Sequence, residues 1–152
     1  MSSLDIRQAT LADLDELADL FDQYRAFQGK PRDLSAAREF LHARLTHGES
    51  VVFMARAAAG PVGFAQLYPS YSSVSLARVF ILNDLFVQEA GRRQGVASKL
   101  LAAVEAFAWS QGAVRITLNV ARNNTSGQAL YEASGWSKDA QFFMYHRFPA
   151  TP

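Results

Sequence analysis

Asp84 and the run Arg92-Arg93-Gln94-Gly95-Val96-Ala97 have residue types and spacing suited to chemistry. Asp84 follows Asn83 in the middle of an otherwise apolar stretch, residues 79–87. Such a stretch reads as a buried strand, where a carboxylate is costly unless it is paired, hydrated or put to use. Just beyond it the chain turns through Gly91 into the two arginines and Gly95, and a helical pattern begins. Strand, basic glycine turn and helix, in that order, build a cradle for a phosphate-bearing ligand. The amides left over at a helix N-terminus point outward together, and the helix dipole adds partial positive charge. Burial raises the pKa of a carboxylate toward the range in which it can take a proton from an amine. Asp84 is therefore a candidate base or amine anchor. The equal alternative is a structural carboxylate bonded to a loop or an arginine. Paired arginines on a turn are commonly a solvated surface, but the Gly-x-Ala that follows them favours a ligand.

The elements that must position these residues can be read from periodicity. Residues 4–8 alternate apolar and polar as a short strand, and Thr10, with Asp13 three residues on, reads as a helix cap. Leu14, Leu17, Phe21 and Tyr24 share one helical face, and Gly29-Lys30-Pro31 should end that helix. A second helix is predicted from Ser35 to Gly48, with Phe40, Leu41 and Leu45 inward. Residues 50–56 and 62–68 read as a hairpin, and 68–75, with Pro69 and several serines, as a polar connection into the apolar strand. After the glycine turn, Val96, Leu100, Val104, Phe107 and Ala108 form one helical stripe. A strand over 114–120, a short helix from Asn124 to Ala133 and one or two strands over 136–148 complete the pattern. The expected fold class is α/β: a mixed sheet with helices on both faces, in a single domain of residues 1–152.

Bulk composition narrows the function. Hydrophobic residues make up 49% and charged residues 19%, which fits a globular chain and excludes a disordered one. A net charge of +1 offers no general basic surface, so neither nucleic acid nor an anionic membrane is an expected partner. The absence of cysteine excludes disulfides, thiol chemistry and a cysteine-based zinc site, and His42, His47 and His146 lack metal-ligand spacing, so no metal is expected. The N-terminal residues carry charge early and have no apolar core, and no apolar run has the length a bilayer requires. The expected location is the cytoplasm.

From Asp84 onward the sequence resembles the GNAT N-acetyltransferases, which use acetyl-coenzyme A to acetylate amines. Their (Gln/Arg)-x-x-Gly-x-(Gly/Ala) signature is matched by Arg92-Arg93-Gln94-Gly95-Val96-Ala97, between a predicted strand and a predicted helix. Asn124, then Tyr131, then Gly135-Trp136 are similar to the family's Asn…Leu-Tyr…Gly-Phe segment, with Trp136 in place of Phe and Gly127 where alanine is common. The resemblance implies acetyl-CoA as co-substrate and direct transfer in a ternary complex, without an acyl-enzyme. It implies that the backbone of Leu85, Phe86 and Val87 pairs with the pantetheine arm as an added strand, one N–H polarising the thioester carbonyl. Arg92, Arg93, Gln94, Gly95, Val96, Ala97 and Ser98 would hold the pyrophosphate, Asn124 would contact the cofactor, and Tyr131 would be the general acid beside the sulfur. Residues 24–33 and 68–75 would supply the acceptor wall.

The central strand motif Asn-Asp-Leu-Phe-Val, residues 83–87, is similar to that of polyamine-type and histone/polyamine acetyltransferases. The polyamine enzymes tend to carry Glu-Asp at this point. Asn83 removes one negative charge, so a small primary amine, an amino-acid derivative or a peptide amine is expected as acceptor. A homodimer through the apolar C-terminal residues 141–148 is expected from the family. From the residues alone, a tyrosine on a short amphipathic helix is more often a core residue, and only the register of Tyr131 with Asn124 and Gly135 points to the acid; Asn124 can serve as helix cap and contact at once. A non-catalytic acyl-CoA-binding sensor is the alternative function. A Rossmann dinucleotide site is disfavoured, because the glycines are wrongly spaced for Gly-x-Gly-x-x-Gly.

Overall fold

The structure, a computed structural model, describes residues 3–151. Thr10 opens the first helical segment as its type predicts. Its hydroxyl accepts the Ala12 amide at 3.3 Å, and Asp13 accepts the Thr10 amide at 2.9 Å, a reciprocal cap on a short 3-10 turn. After β1 (Asp5–Gln8) and this turn come α1 (Leu14–Phe27) and α2 (Leu34–Thr46). A meander of β2 (Val51–Ala57), β3 (Gly60–Ser72) and β4 (Ala77–Val87) follows. Then come α3 (Val96–Ser110), β5 (Ile116–Thr117) and α4 (Thr125–Ala133). The strands lie in the order β1-β2-β3-β4-β5, antiparallel except for the parallel β4–β5 pair, so the sheet is mixed as expected. Backbone contacts divide the chain into two compact units, one up to Asn119 and one from Val120. The first holds the whole sheet; in the second, α4 is the regular element.

The two faces of the sheet are told apart by their aromatic contacts. Phe64 of β3 and Phe86 of β4 meet Tyr24 of α1 at ring-centroid distances of 5.8 and 5.9 Å, so they face α1 and α2. Phe53 of β2 and Phe80 of β4 each meet Phe107 of α3 at 5.6 Å on the opposite face. Leu17, Ala18, Leu41, Met54 and Phe64 have no exposed surface and close the α1/α2 side; Leu100, Val104 and Ala108 are as fully covered along α3. These follow the stripes the helical periodicity predicts, except that Phe40, expected inward on α2, is 40% exposed.

Phe80 and Phe86 are both even-numbered yet face opposite sides, and a β-bulge explains it. Gln66 pairs with Asp84 and the next residue, Leu67, pairs with Leu82, so Asn83 is one residue extra in β4. Side chains alternate with a period of two along a strand, so one extra residue exchanges the faces of everything beyond it. Asp84 is thereby turned away from the oily α3 side and toward α1 and α2.

Three extents differ from expectation. β3 runs on to Ser72 through Pro69, where a polar connection was expected from residue 68. β2 pairs with β3 only as far as Val51 opposite Leu67, so Pro69 lies where β3 has become an edge strand and its missing N–H costs no ladder bond. β5 is two residues long where 114–120 was expected, its pairing ending at Ile81 opposite Thr117, just before the bend at the Asn83 bulge. No strand is found over 136–148, where one or two were expected. An extended segment becomes a strand only when its amides find a ladder, and apolar side chains alone do not provide one.

An ion pair on a buried aspartate fixes the connection between α1 and α2. Asp22, 1% exposed, accepts from the Arg32 guanidinium and, at 2.8 Å, from the Asp33 amide. Burial pushes its carboxyl up, but the Asp33 amide, the Arg32 hydrogen bond and the charges of Arg32 and Arg25 together hold it below its usual value. Asp22→Ala is expected to cost about 1.5–3 kcal/mol, the range for hydrogen bonds to a charged group, because Arg32 is half exposed and can return to water. Urea unfolding at neutral pH checks this; a loss under 0.5 kcal/mol (about the scatter of surface substitutions) would contradict it. The sign with pH follows from the lowered pKa: the contribution is complete above 3.8, the ordinary value, and is lost as pH falls through the folded value below it.

Candidate active site

The bulge delivers Asp84 to the end of a cavity of about 430 Å³ between the sheet, α1 and α2. Phe21, Tyr24, Phe40 and Tyr68 supply its rings, and Asn83, Asp84 and Arg25 its polar groups. Asp84 is 5% exposed and accepts three hydrogen bonds: Gln66 Nε2 donates to Oδ2 at 2.7 Å, Asn83 Nδ2 donates to Oδ1 at 3.1 Å, and the Tyr24 hydroxyl donates as well. Burial raises the pKa of the carboxyl, and the three donors recover only part of the shift. The group thus takes up a proton more readily than a surface aspartate. The same burial, with the charge of Asp84 nearby and that of Arg44 opposing, pushes the Tyr68 phenol up to about 12, so it stays a neutral donor.

Past Asp84, the other edge of β4 is open. Pairing with β5 covers only Phe80 and Ile81, so among the described residues Leu85, Phe86 and Val87 have a strand partner on the β3 side alone. The chain then makes a 3-10 turn over Glu89–Gly91 and enters the basic loop. Gly91 is packed against Val62 and Val87, where an added Cβ would come within 2.9 Å of Val62 Cβ. Arg93 and Gly95 both have left-handed backbone, with φ of 65° and 73°, and a left-handed residue among ordinary ones turns successive amides to one side. The first intrahelical bond of α3 runs from the Lys99 amide to the Gly95 carbonyl at 3.1 Å. The amides of Val96, Ala97 and Ser98 therefore stand outside the ladder, and Gly95 has no side chain to cap them. Of the two arginines, Arg92 packs over the Phe27 ring at 5.3 Å and donates to the Val87 carbonyl at 3.1 Å, while Arg93 is exposed. An anionic group fits here on backbone donors, with Arg93 and the helix dipole as added charge.

In the second unit, Asn124 caps α4 by accepting the Gly127 amide at 3.0 Å. Tyr131 lies on α4 with its ring 6.0 Å from that of Trp136, and burial pushes its phenol above the ordinary value of 10.0. A proton is thus retained on it at neutral pH.

Asp84, Leu85–Val87 and the loop follow one another along β4 and its turn into α3. Of the expected acceptor wall, Tyr24, Arg25 and Tyr68 line the cavity. Tyr71 is 71% exposed beneath Arg78, and Arg32 and Asp33 are occupied with Asp22. Gln66, Phe21 and Phe40 were missed. Gln66 carried a readable signal, being the one polar side chain in an apolar run from Val62 to Leu67, as Asp84 is in its own.

Comparison with known proteins decides the family. The model of the acetyltransferase (GNAT) family matches residues 14–136. The chain belongs to the GNAT acetyltransferase family. This acetyltransferase is 42% identical over 142 residues to an uncharacterized N-acetyltransferase, YhfO, of Bacillus subtilis (strain 168), covering 93% of this chain and 95% of that one. It is 29% identical to an aminoglycoside N(6')-acetyltransferase type 1 of Salmonella typhimurium, covering 95% and 99%. Among solved structures, a probable acetyltransferase superposes with a TM-score of 0.91 at 42% identity over 97% of this chain and 99% of that one. An aminoglycoside N-acetyltransferase solved in complex with CoA superposes with a TM-score of 0.79 at 25% identity, covering 97% and 96%. Among the described residues, no helix is long and apolar enough to cross a membrane.

Proposed function

We propose that this acetyltransferase moves the acetyl group of acetyl-CoA onto a primary amine of a small molecule or peptide, held at Asp84. One observation carries the reading: a buried, proton-accepting carboxylate in an aromatic cavity sits on the strand whose open edge runs into the phosphate cradle. An ammonium suits such a cavity, since ring faces and a carboxylate both favour a cation. Acetyl-CoA supplies the acetyl group as an activated thioester. Leu85–Val87 offer backbone donors and acceptors to an extended ligand, and Arg93–Ser98 offer amides to its pyrophosphate, with Arg92 and Gln94 flanking them.

Asp84, directly or through a water, takes the proton the ammonium must lose before its nitrogen can attack the carbonyl carbon. As the C–N bond forms, the C–S bond breaks and its electron pair leaves on sulfur. Tyr131, protonated at working pH, gives sulfur the proton it needs and is restored by the second proton, which the nitrogen sheds to it or to solvent as the amide forms. No acyl-enzyme is required. Support for Tyr131 and Asn124 comes from their register with Gly135 in the family motif and from the phenol's raised pKa.

Calorimetry with acetyl-CoA, followed by thiol release against amino acids, polyamines, aminoglycosides and peptide amines, tests the whole reading. Binding with turnover of an amine is expected. Binding with no turnover would favour a sensor, and no binding would overturn the cradle. Tyr131→Phe should lower kcat about 100-fold or more while leaving acetyl-CoA affinity within twofold, the signature of a lost general acid. Parent turnover in that variant would remove Tyr131 from the chemistry.

The homodimer belongs to this reading as well. Phe142, Phe143, Met144, Tyr145 and Phe148 are all at least 62% exposed, an apolar run that monomers seldom leave open to water. Static light scattering should return the mass of two chains, and a monomer at working concentration would refute it.

A further inference from the structure

We propose that the acceptor is a zwitterion: a small primary amine that also carries an anionic group, its ammonium directed to Asp84 and its anion to Arg25. This rests on the acetyl-transfer reading above and narrows its substrate class. The argument is the charge inventory of the cavity. Two ionic side chains line it, one carboxylate and one guanidinium. The remaining lining is aromatic or small, with Asn83 polar and Tyr68 a neutral phenol.

Arg25 is half-buried and, among the described residues, makes no hydrogen bond or ion pair with a carboxylate. Its charge reaches Asp22, but Arg32 already neutralises that group. The other nearby arginine, Arg44, lies over the Phe40 ring at 4.6 Å and is ion-paired with Glu49 at 3.0 Å. The cavity thus presents one uncommitted cation and one buried anion, and a guanidinium is a rigid fork suited to a carboxylate or phosphate. A polycation would meet a single carboxylate and a repelling arginine. An aminoglycoside, with several ammonium groups, fits this inventory poorly. An amino acid or similar amino-carboxylate fits it on both charges.

The test is thiol release from acetyl-CoA with matched acceptors: α- and ω-amino acids, their amides, diamines of equal length, and an aminoglycoside. The free acids should have the highest kcat/KM. Arg25→Gln should lower kcat/KM for the best acid about 10- to 100-fold, chiefly through KM, the range for a lost hydrogen bond to a charged group. The acid-to-amide ratio should collapse toward one, and Arg25→Lys should restore part of it; a purely structural role would lower acid and amide alike. Circular dichroism melting checks that both variants fold. Amides, diamines or the aminoglycoside outrunning the acids would overturn the zwitterion and leave acetyl transfer standing. Acetyl-CoA binding with no release for any amine would overturn acetyl transfer itself, and the zwitterion with it.

Discussion

Gly95→Glu is expected to abolish acetyl-CoA binding in a protein that still folds. Gly95 holds φ at 73° immediately before α3, and an added Cβ there meets nothing within 4 Å. The substitution therefore creates no clash. Left-handed backbone costs a side-chain-bearing residue about 1–2 kcal/mol, which a domain with about 5–15 kcal/mol of stability can absorb. The loss of binding comes from charge. A carboxylate at the helix N-terminus occupies the field that the amides of Val96, Ala97 and Ser98 would otherwise present to a phosphate. Calorimetry should show Kd rising at least about 100-fold, or about 2.7 kcal/mol. Gly95→Ala imposes the same backbone strain without the charge, so it should weaken binding only a few-fold. Normal affinity in Gly95→Glu would mean that the cradle lies elsewhere.

Asp84→Asn separates activity from stability. The replacement keeps the shape of the side chain and removes the group that takes up the proton. It should lower kcat/KM about 10²- to 10⁴-fold, the usual contribution of a general base. Parent kcat/KM should also fall on the acid side as Asp84 protonates, at a pH above the ordinary 3.8, and the variant should lack that limb. Folding should respond in the opposite sense. A carboxyl whose pKa is raised in the folded state binds its proton more tightly there than in the unfolded chain, so its ionisation destabilises the fold. The variant's melting temperature should match the parent's near pH 3 and exceed it increasingly as pH rises from 3.8 through the raised value. The new amide needs an acceptor where Asp84 met only donors. Gln66 Oε1, buried and without a hydrogen-bond partner, provides one if the Gln66 amide turns over. A variant with parent activity would leave Asp84 no part in proton transfer.

The features legible in the sequence are those fixed over short distances. Thr10 with Asp13, and the run from Arg92 to Ala97, announce their backbone through a cap and a glycine, and the structure places both where the residues say. Asp84 stood out because burial of an unpartnered carboxylate is costly wherever it happens. Its donors were harder to see: Gln66 lies eighteen residues away and Tyr24 in another element, joined to it only by strand pairing and helix packing. The same holds for the length of β3, since Pro69 is permitted by where β2 stops. It holds for residues 136–148 too, whose apolar content resembles a strand but whose amides require a partner that local sequence does not specify. Nothing in the types of Leu82, Asn83 and Asp84 announces that one of them is supernumerary in the ladder.

That supernumerary residue makes the site depend on counting. Asp84 reaches the cavity because Asn83 is held out of the ladder between it and the stretch of β4 that packs on α3. A strand that took Asn83 into a regular ladder would leave every side chain's chemistry unchanged and still send the carboxylate into hydrocarbon, with Asn83 taking its place opposite Gln66. Deleting Asn83, by contrast, would leave Asp84 opposite Gln66 on the face it occupies now. The site therefore depends less on the length of this segment than on which of its residues the ladder leaves out.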